Sequence, residues 1–329
     1  MRAQELTVVI PVYGCAGCLD SLHRRLHAAL DSTVPDWSVV YVDDASPDGS
    51  WSKLEELAHV DPRVEALRLS RNFGQHAAIT AGLAESGARW TAVMDCDLQD
   101  PPEELPAMLE EARGGYDVVL TKRERRRQPW HRRLAARTYF RLRNALVGTK
   151  VDPEFATLSV IARPVVDAFM QMGDRDRQYM LILHWLGFRR AVRELDPGER
   201  YEGQSSYTFS KLVRVALDGM FFQTTALLRW ITYLGFLVAA AGLALAIALV
   251  VLYFVNGPPP GYTSLAVLIL VVGGFIILST GITGLYVGKI FEQVKGRPLY
   301  VVERRASRAV GMSEFSGREP SRTEIAGRS

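Results

Sequence analysis

The chain has 329 residues, with 39 Lys and Arg against 36 Asp and Glu and a formal net charge of +3. That length buries a full-sized core and leaves room for a second module, and so mild a charge argues against a nucleic-acid protein. Three cysteines, an odd and sparse count, do not describe a disulfide scaffold.

The N-terminal Met1-Arg-Ala-Gln-Glu-Leu6 has no apolar run following positive charge, so no signal peptide is expected and the first domain is expected in the cytosol. Apolar β-branched runs at Leu6–Val12, Trp37–Asp43, Val64–Leu69, Trp90–Asp95 and Tyr116–Thr121 read as strands. Between them, Leu19–Leu30, Ser50–Ala58, Gln75–Glu85 and Pro102–Ala112 are patterned as helices with polar or proline residues at their starts. This alternation predicts an α/β fold, a mostly parallel sheet with helices on both faces. Cys15-Ala-Gly-Cys18 sits where a thioredoxin-type dithiol would, but nothing else of that kind surrounds it, and no second cysteine pair completes a zinc site.

Ligands of such sheets bind beyond the carboxyl ends of the strands. Polar residues gather there: Pro11-Val-Tyr13 after the first strand, Asp43-Asp44-Ala-Ser46-Pro-Asp48 after the second, Arg71-Asn72-Phe-Gly74 after the third, and Asp95, Asp97, Gln99 and Asp100 after the fourth. Four such loops converging on one crevice predict a binding site. Ser46 and Asp48 read better as turn and helix-cap residues. Residues two apart on a strand face the same side, so Asp95 and Asp97 are expected to share one divalent cation, Mg2+ or Mn2+, beside a diphosphate. The competing reading of that pair is an acidic turn closing a buried strand.

The segment from Lys122 to Arg143 is strongly basic, with aromatic and leucine residues interleaved. It reads as a solvated helix face, a nucleic-acid patch or, favoured by the long apolar stretch downstream, a basic helix lying on an anionic leaflet. Lys122 and Arg123 in it are suited to an anionic lipid headgroup. Asp196-Pro-Gly-Glu-Arg200-Tyr-Glu-Gly203-Gln-Ser205-Ser-Tyr207 is polar and loop-like, of the sort that closes over a ligand. Phe209 to Arg229 resumes an amphipathic helical pattern. From Ile231 to Gly288 there is no Asp, Glu, Lys, Arg or His, enough for two spans of about 20 residues each, divided by Asn256-Gly-Pro-Pro-Pro-Gly-Tyr262. The spans are expected near 230–255 and 264–288. Arg229 before the pair and Lys289, Lys295, Arg297, Arg304, Arg305 and Arg308 after it predict that both ends are cytoplasmic. Small residues at Gly273, Gly274, Gly281 and Gly284 would let helices pack closely, which leaves a homo-oligomer open. The tail beyond about 308 has a disordered composition.

Val9-Ile-Pro-Val-Tyr13, Val42-Asp-Asp-Ala-Ser-Pro-Asp-Gly49, Ser70-Arg-Asn-Phe-Gly-Gln-His76, Met94-Asp-Cys-Asp-Leu-Gln-Asp-Pro-Pro102 and Glu199-Arg-Tyr-Glu-Gly-Gln-Ser-Ser-Tyr207, followed by two spans, together form a specific combination. Over about Leu6 to Arg297 the chain resembles the polyprenyl-phosphate glycosyltransferases, bacterial relatives of dolichyl-phosphate mannose synthase within the inverting glycosyltransferase family 2. The resemblance implies a GT-A (Rossmann-like) cytoplasmic catalytic domain over 1–208 with an interfacial helix near 128–147. It also implies a juxtamembrane helix at 209–229, a transmembrane hairpin over 230–288 in the inner membrane, and a cytoplasmic tail at 289–329. It implies that Pro11, Tyr13 and Asp43 hold the nucleoside, that Asp95 and Asp97 hold the metal and donor diphosphate, and that Gln99 and Asp100 hold the donor sugar. Arg200 and the Gly203-Gln-Ser205-x-Tyr207 loop resemble the segment that closes over the phosphates. The implied partners are a nucleotide sugar, UDP-linked by resemblance, and a polyprenyl phosphate. The sugar itself is left open.

The chain departs from the family pattern at three places. Gly14-Cys15 stands where relatives have Asn-Glu, Ser206 where the closing loop has lysine, and Thr157-Leu-Ser-Val-Ile-Ala-Arg163 where many have Asp-Phe-Arg-Leu before an arginine. The carboxylate often proposed as a base is therefore missing; a sugar-hydroxyl acceptor would need one, with Asp100, Asp152 or Glu154 as candidates. Two other functions compete. A processive polysaccharide synthase would carry Gln-x-x-Arg-Trp, and Ala226-Leu-Leu-Arg229-Trp230 lacks the glutamine. A non-catalytic membrane protein that binds nucleotide sugar keeps the fold without the activity.

Overall fold

The computed structural model describes residues 4–123, 155–175, 177–195, 226–256, 261–308 and 313–314. The expectations for Arg200, Ser205, Tyr207, Asp152, Glu154, most of the basic segment and the juxtamembrane helix lie outside the described residues. The chain divides into two compact units, one α/β and one holding two long helices.

The α/β unit is one nine-stranded sheet in the order β7-β5-β6-β4-β1-β2-β3-β8-β9. Its strands are β1 (Leu6–Val12), β2 (Trp37–Asp43), β3 (Val64–Leu69), β4 (Trp90–Val93), β5 (Val118–Arg123), β6 (Phe155–Ala162), β7 (Arg190–Leu195), β8 (Val302–Ser307) and β9 (Ser313–Glu314). The helices are α1 (Ala16–Leu30), α2 (Ser50–Val60), α3 (Gln75–Glu85), α4 (Leu105–Arg113), α5 (Arg163–Gln171) and α6 (Tyr179–Leu186).

The centre β3-β2-β1-β4 is parallel throughout. Every residue of β1 is buried, as expected of an apolar run covered by helices on both faces. The sheet turns mixed on either side, since β6 is antiparallel to both β4 and β5, and β8 is antiparallel to β3. The GT-A-like α/β architecture expected from the sequence is thus present, more mixed than an all-parallel reading.

Two strand readings need correction. Periodicity extends the fourth strand over Trp90–Asp95, but pairing with β1 and β6 stops at Val93, and Met94 N–H to Val9 O is the last main-chain bond on that side. Asp95 and Asp97 therefore lie in a turn, and side-chain alternation along a strand does not set their directions. The fifth strand begins at Val118, two residues beyond the expected start, and runs to Arg123.

The segment read from sequence as the start of a tail completes the sheet edge. β8 pairs with β3 from Glu65↔Ser307 to Leu69↔Val302. Arg305 reaches Glu85 at 2.6 Å and Glu65 at 3.5 Å, and Ala306 is buried. Two of the arginines counted for membrane topology, Arg304 and Arg305, thus belong to this strand.

In the second unit, α7 (Ala226–Asn256) and α8 (Tyr262–Val294) are long and apolar. Among the described residues, Val271–Val294 is the one segment long and apolar enough to cross a membrane.

α3 crosses β1 and β2 where Gly82 lets the helix approach. A β-carbon there would lie 2.3 Å from Val9 Cγ1 and 3.2 Å from Val42 Cγ2, and valines buried in strands have little rotamer freedom. Gly82→Val is expected to lower stability by about 1–3 kcal/mol through overpacking, read as a lower midpoint in denaturant titration of the detergent-solubilised protein.

Candidate active site

Parallel pairing brings the carboxyl ends of β3, β2, β1 and β4 to one edge of the sheet, and the chain order reverses at β1, with β2 on one side and β4 on the other. This is the switch-point geometry at which open α/β sheets bind ligands. Because β5 and β7 run parallel to β4, their ends at Lys122-Arg123 and Leu195 reach the same edge.

The loops at this edge are tied together by carboxylates that accept main-chain hydrogen bonds. Asp44 is 3% exposed and accepts Phe73 N–H at 2.7 Å and Gly74 N–H at 2.8 Å, joining the β2 loop to the β3 loop. Gly74 has φ +96°, a conformation in which a side chain would be strained. Asp48 accepts Ala16 N–H at 2.9 Å, Ser50 N–H at 3.2 Å and Ser50 Oγ–H at 2.6 Å. Ser50 Oγ in turn accepts Cys15 N–H at 3.3 Å. The first turn of α1, which has no cap of its own, is thus capped by the α2 loop. Ser46 Oγ accepts Gly14 N–H at 3.2 Å. These bonds agree with the capping role read for Ser46 and Asp48.

Asp43 is fully buried at the end of β2. Its Oδ1 accepts Ser46 N–H at 3.0 Å and its Oδ2 lies 3.7 Å from Arg68 Nε, which also faces Glu303 of β8 at 3.6 Å. Burial pushes the Asp43 carboxyl above the usual range, against the pull of Ser46 and Arg68. Pro11 is buried within β1 opposite Val42, whereas Tyr13 is 54% exposed beyond its end. Arg71 and Asn72 are exposed, and Arg71 lies over the Phe73 ring, 4.2 Å from its centroid.

After β4, Asp95 and Asp97 are half-buried and Asp100 is 1% exposed. Gln75, the first residue of α3, donates its amide to Asp95 Oδ1 at 2.6 Å. Asp97 Oδ1 accepts Gln99 N–H at 3.1 Å across Leu98. Leu98 has φ +60°, and Ala45 beside Asp44 has φ +56°. These are the two left-handed non-glycine residues among those described, each costing about 1–3 kcal/mol, and both sit in loops of this one edge. Two oriented carboxylates in one turn, with a buried third nearby, are a donor set that suits a hard divalent cation completed by phosphate and water oxygens.

Lys122 is half-buried near the end of β5, opposite Phe155 and Glu194. Thr157, the first residue of the run that departs from the family pattern, lies on β6 two residues before Ser159, the partner of Val93, and so at this edge. Arg163, at the far end of β6, pairs with Asp167 at 2.7 Å. Sequence reading missed Gln75, Arg68 and Glu303. Gln75 lies inside the recognised Ser70–His76 run, so only its hydrogen bond reveals its part.

Cys15, Cys18 and Cys96 are all buried, and none is in a disulfide. Hydrogen bonding to Cys96, then burial, drive the Cys15 thiol far above the ordinary range. That is the reverse of the low-pKa thiol a dithiol oxidoreductase needs.

This geometry is open to two tests. The Asp48 carboxyl is held below the usual range because the donors on Ala16 and Ser50 outweigh the upward effect of burial. A depressed folded pKa adds stability above the unfolded value near about 3.9 that is lost as pH falls through the folded value. Asp48→Asn is therefore expected to be less stable than the natural chain at pH 7, with the gap closing in denaturant melts taken below about pH 4. Iodoacetamide at neutral pH is expected to leave Cys15 unmodified in the folded protein and to label it after unfolding, as mapped by peptide mass spectrometry.

A model described as "Glycosyl transferase family 2" matches residues 7–169. The chain is similar to "Uncharacterized glycosyltransferase sll0501" of Synechocystis sp., at 33% identity over 91% of this chain and 94% of that one. It is also similar to the "Undecaprenyl-phosphate 4-deoxy-4-formamido-L-arabinose transferase" of Proteus mirabilis, at 32% identity over 92% and 94%. Among solved structures, the mannosyltransferase PcManGT from Pyrobaculum calidifontis is similar over 90% of this chain and 89% of that one, with 17% identity and a TM-score of 0.41. The sequence matches, which extend through both units, show that the chain belongs to glycosyl transferase family 2.

Proposed function

We propose that the protein transfers a single sugar from a nucleotide sugar, UDP-linked, to a polyprenyl phosphate at the cytoplasmic face of the membrane, with inversion at the anomeric carbon. The observation that carries this reading is the meeting of Asp43, Asp95, Asp97 and Asp100 at one sheet edge, in a chain whose curated relatives include undecaprenyl-phosphate sugar transferases.

In this reading Asp43 and Tyr13 face the nucleoside, and Asp95 and Asp97 hold the divalent cation, which when bound would supply positive charge to the donor diphosphate. Gln75 keeps Asp95 in place for that task, and Gln99 and Asp100 face the sugar. Arg200, Ser205 and Tyr207 close over the phosphates, and Lys122 and Arg123 meet the acceptor headgroup.

The absence of a carboxylate at Thr157 fits this acceptor. A phosphate monoester with a second pKa of about 6 is largely ionised at neutral pH. Its oxygen attacks the anomeric carbon without giving up a proton, so no general base is required. The chain then supplies position and leaving-group stabilisation.

On either side of the two segments that belong to the helical unit, β5 ends at Arg123 and β6 starts at Phe155, and β7 ends at Leu195 and β8 starts at Val302. All four points lie at the edge that carries the acidic loops. Because β8 pairs with β3, the intervening chain must finish on the side where it began, which requires an even number of crossings and favours α7 and α8 as a two-span pair over a single span.

The test is transfer from radiolabelled nucleotide sugars to undecaprenyl phosphate by the full chain in detergent with Mg2+ or Mn2+. One single-sugar lipid is expected, and Asp97→Asn is expected to reduce its rate by roughly 100-fold or more. A polymeric product would indicate a processive synthase, and tight donor binding with no turnover would indicate a non-catalytic binder. Undiminished metal-dependent transfer by Asp97→Asn would refute the metal assignment.

A further inference from the structure

A second constellation lies away from the acidic loops. His23 and His27 stand four residues apart on α1, so both rings leave the same face of the helix. Asp61, in the turn between α2 and β3, projects its Oδ2 between them, 3.3 Å from His23 Nε2 and 2.7 Å from His27 Nε2. The three donor atoms lie within 4.8 Å of one another. We propose that His23, His27 and Asp61 form a binding site for one zinc-like divalent cation, independent of the sugar-transfer site.

The donor set favours a borderline cation. Two imidazole nitrogens and one carboxylate, with water as the fourth ligand, suit Zn2+ rather than Mg2+, which takes oxygen ligands. At Zn–N and Zn–O distances of about 2.0–2.2 Å, tetrahedral ligands lie about 3.3 Å apart. The His23–Asp61 separation already has that value. The His27–Asp61 pair, hydrogen-bonded at 2.7 Å, has to open by roughly 0.6 Å as the ion takes the place of the shared proton, which passes to solvent.

The surroundings match what orients metal-binding histidines. Such a ring commonly fixes its tautomer by hydrogen bonding through its other nitrogen. His23 Nδ1 lies 3.3 Å from the Tyr41 hydroxyl, and His27 Nδ1 lies 3.0 Å from Asp31 Oδ2. Asp61 is steadied by Arg63 N–H, which donates to its Oδ1 at 2.9 Å. Asp31 is in turn held by Trp37 Nε1–H at 3.0 Å and by the Arg63 guanidinium. That guanidinium, 3.4 Å from His27 Nδ1, offsets the charge of Asp31, so Asp61 is the anionic ligand left to balance the ion.

The position separates this constellation from the transfer site. Asp61 precedes β3 and so lies at the amino ends of the parallel strands, whereas Asp95 and Asp97 follow their carboxyl ends. His27 is three turns beyond the start of α1, about 16 Å along its axis at 1.5 Å per residue. An ion here would clamp α1 to the α2–β3 turn and add stability by mass action.

The experiment titrates CoCl2, then ZnCl2, into chelator-treated full chain in detergent and follows visible absorption. Four-coordinate cobalt with nitrogen ligands absorbs strongly, whereas six-coordinate cobalt among carboxylates and phosphates does not. One cobalt per chain with the intense spectrum, displaced by zinc, is expected in the natural protein and equally in Asp97→Asn. His27→Gln is expected to lose the spectrum, and Asp31→Asn to weaken binding about 10–100-fold while keeping it. The proposal is overturned if the natural protein shows no such spectrum, if His27→Gln retains it unchanged, or if Asp97→Asn abolishes it. The first of these outcomes needs no variant to fold.

Discussion

Parallel pairing of β3, β2, β1 and β4 is the constraint on which the molecule depends. Strands that run the same way must send their loops out at the same edge, and chain order then decides which loops become neighbours. Val12, Asp43 and Arg68 are aligned by the β1–β2 and β2–β3 registers. A one-residue slip would turn the buried set toward the opposite face. The near-complete burial of β1 and β2 makes such a slip costly, so the core fixes the loop geometry.

Given that edge, the loops are held by carboxylates used in two different ways. Asp44 and Asp48 spend their oxygens on main-chain N–H groups of neighbouring loops, replacing bonds that irregular backbone cannot make for itself. Asp95 and Asp97 occupy a turn closed by Gln75 and strained at Leu98. Strain of this type persists only where its surroundings over-determine it, and the surroundings here are the tied loops. Asp43 lies between the two groups, buried at a strand end with Arg68 as its charged neighbour and Glu303 behind that. Strand β8, translated after both long helices, thus reaches the environment of the residue proposed to face the nucleoside.

Much of this was legible in the sequence because continuous apolar runs separated by amphipathic repeats leave few alternatives. The four central strands and the helices between them fall close to where periodicity puts them, and the acidic loops come after the strands as strand-end chemistry requires. What escaped had physical reasons. Val302–Ser307 carries Glu303, Arg304 and Arg305 in succession close after a long apolar segment, with no strand-like alternation, so Arg304 and Arg305 looked like topology signals; only pairing with β3 reveals a strand. β4 ends at Val93 because its neighbours stop bonding there, which no property of Met94 or Asp95 announces. The His23–His27 spacing was present, but its third member, Asp61, lies a helix and a strand away in sequence and meets it only in the folded chain.

Strand β8, which covers β3 on one side of the sheet, sets an order for biogenesis. Ribosomes deliver this chain from its amino end, so β3 stands with an open hydrogen-bonding edge until both long helices have been translated. Exposed strand edges invite pairing with foreign chains, and domains in general begin folding during synthesis. The α/β sheet can therefore be completed only by residues that emerge after the two long helices. Completion of the sheet becomes a late event, one that a ribosome stalled within the helices would never reach.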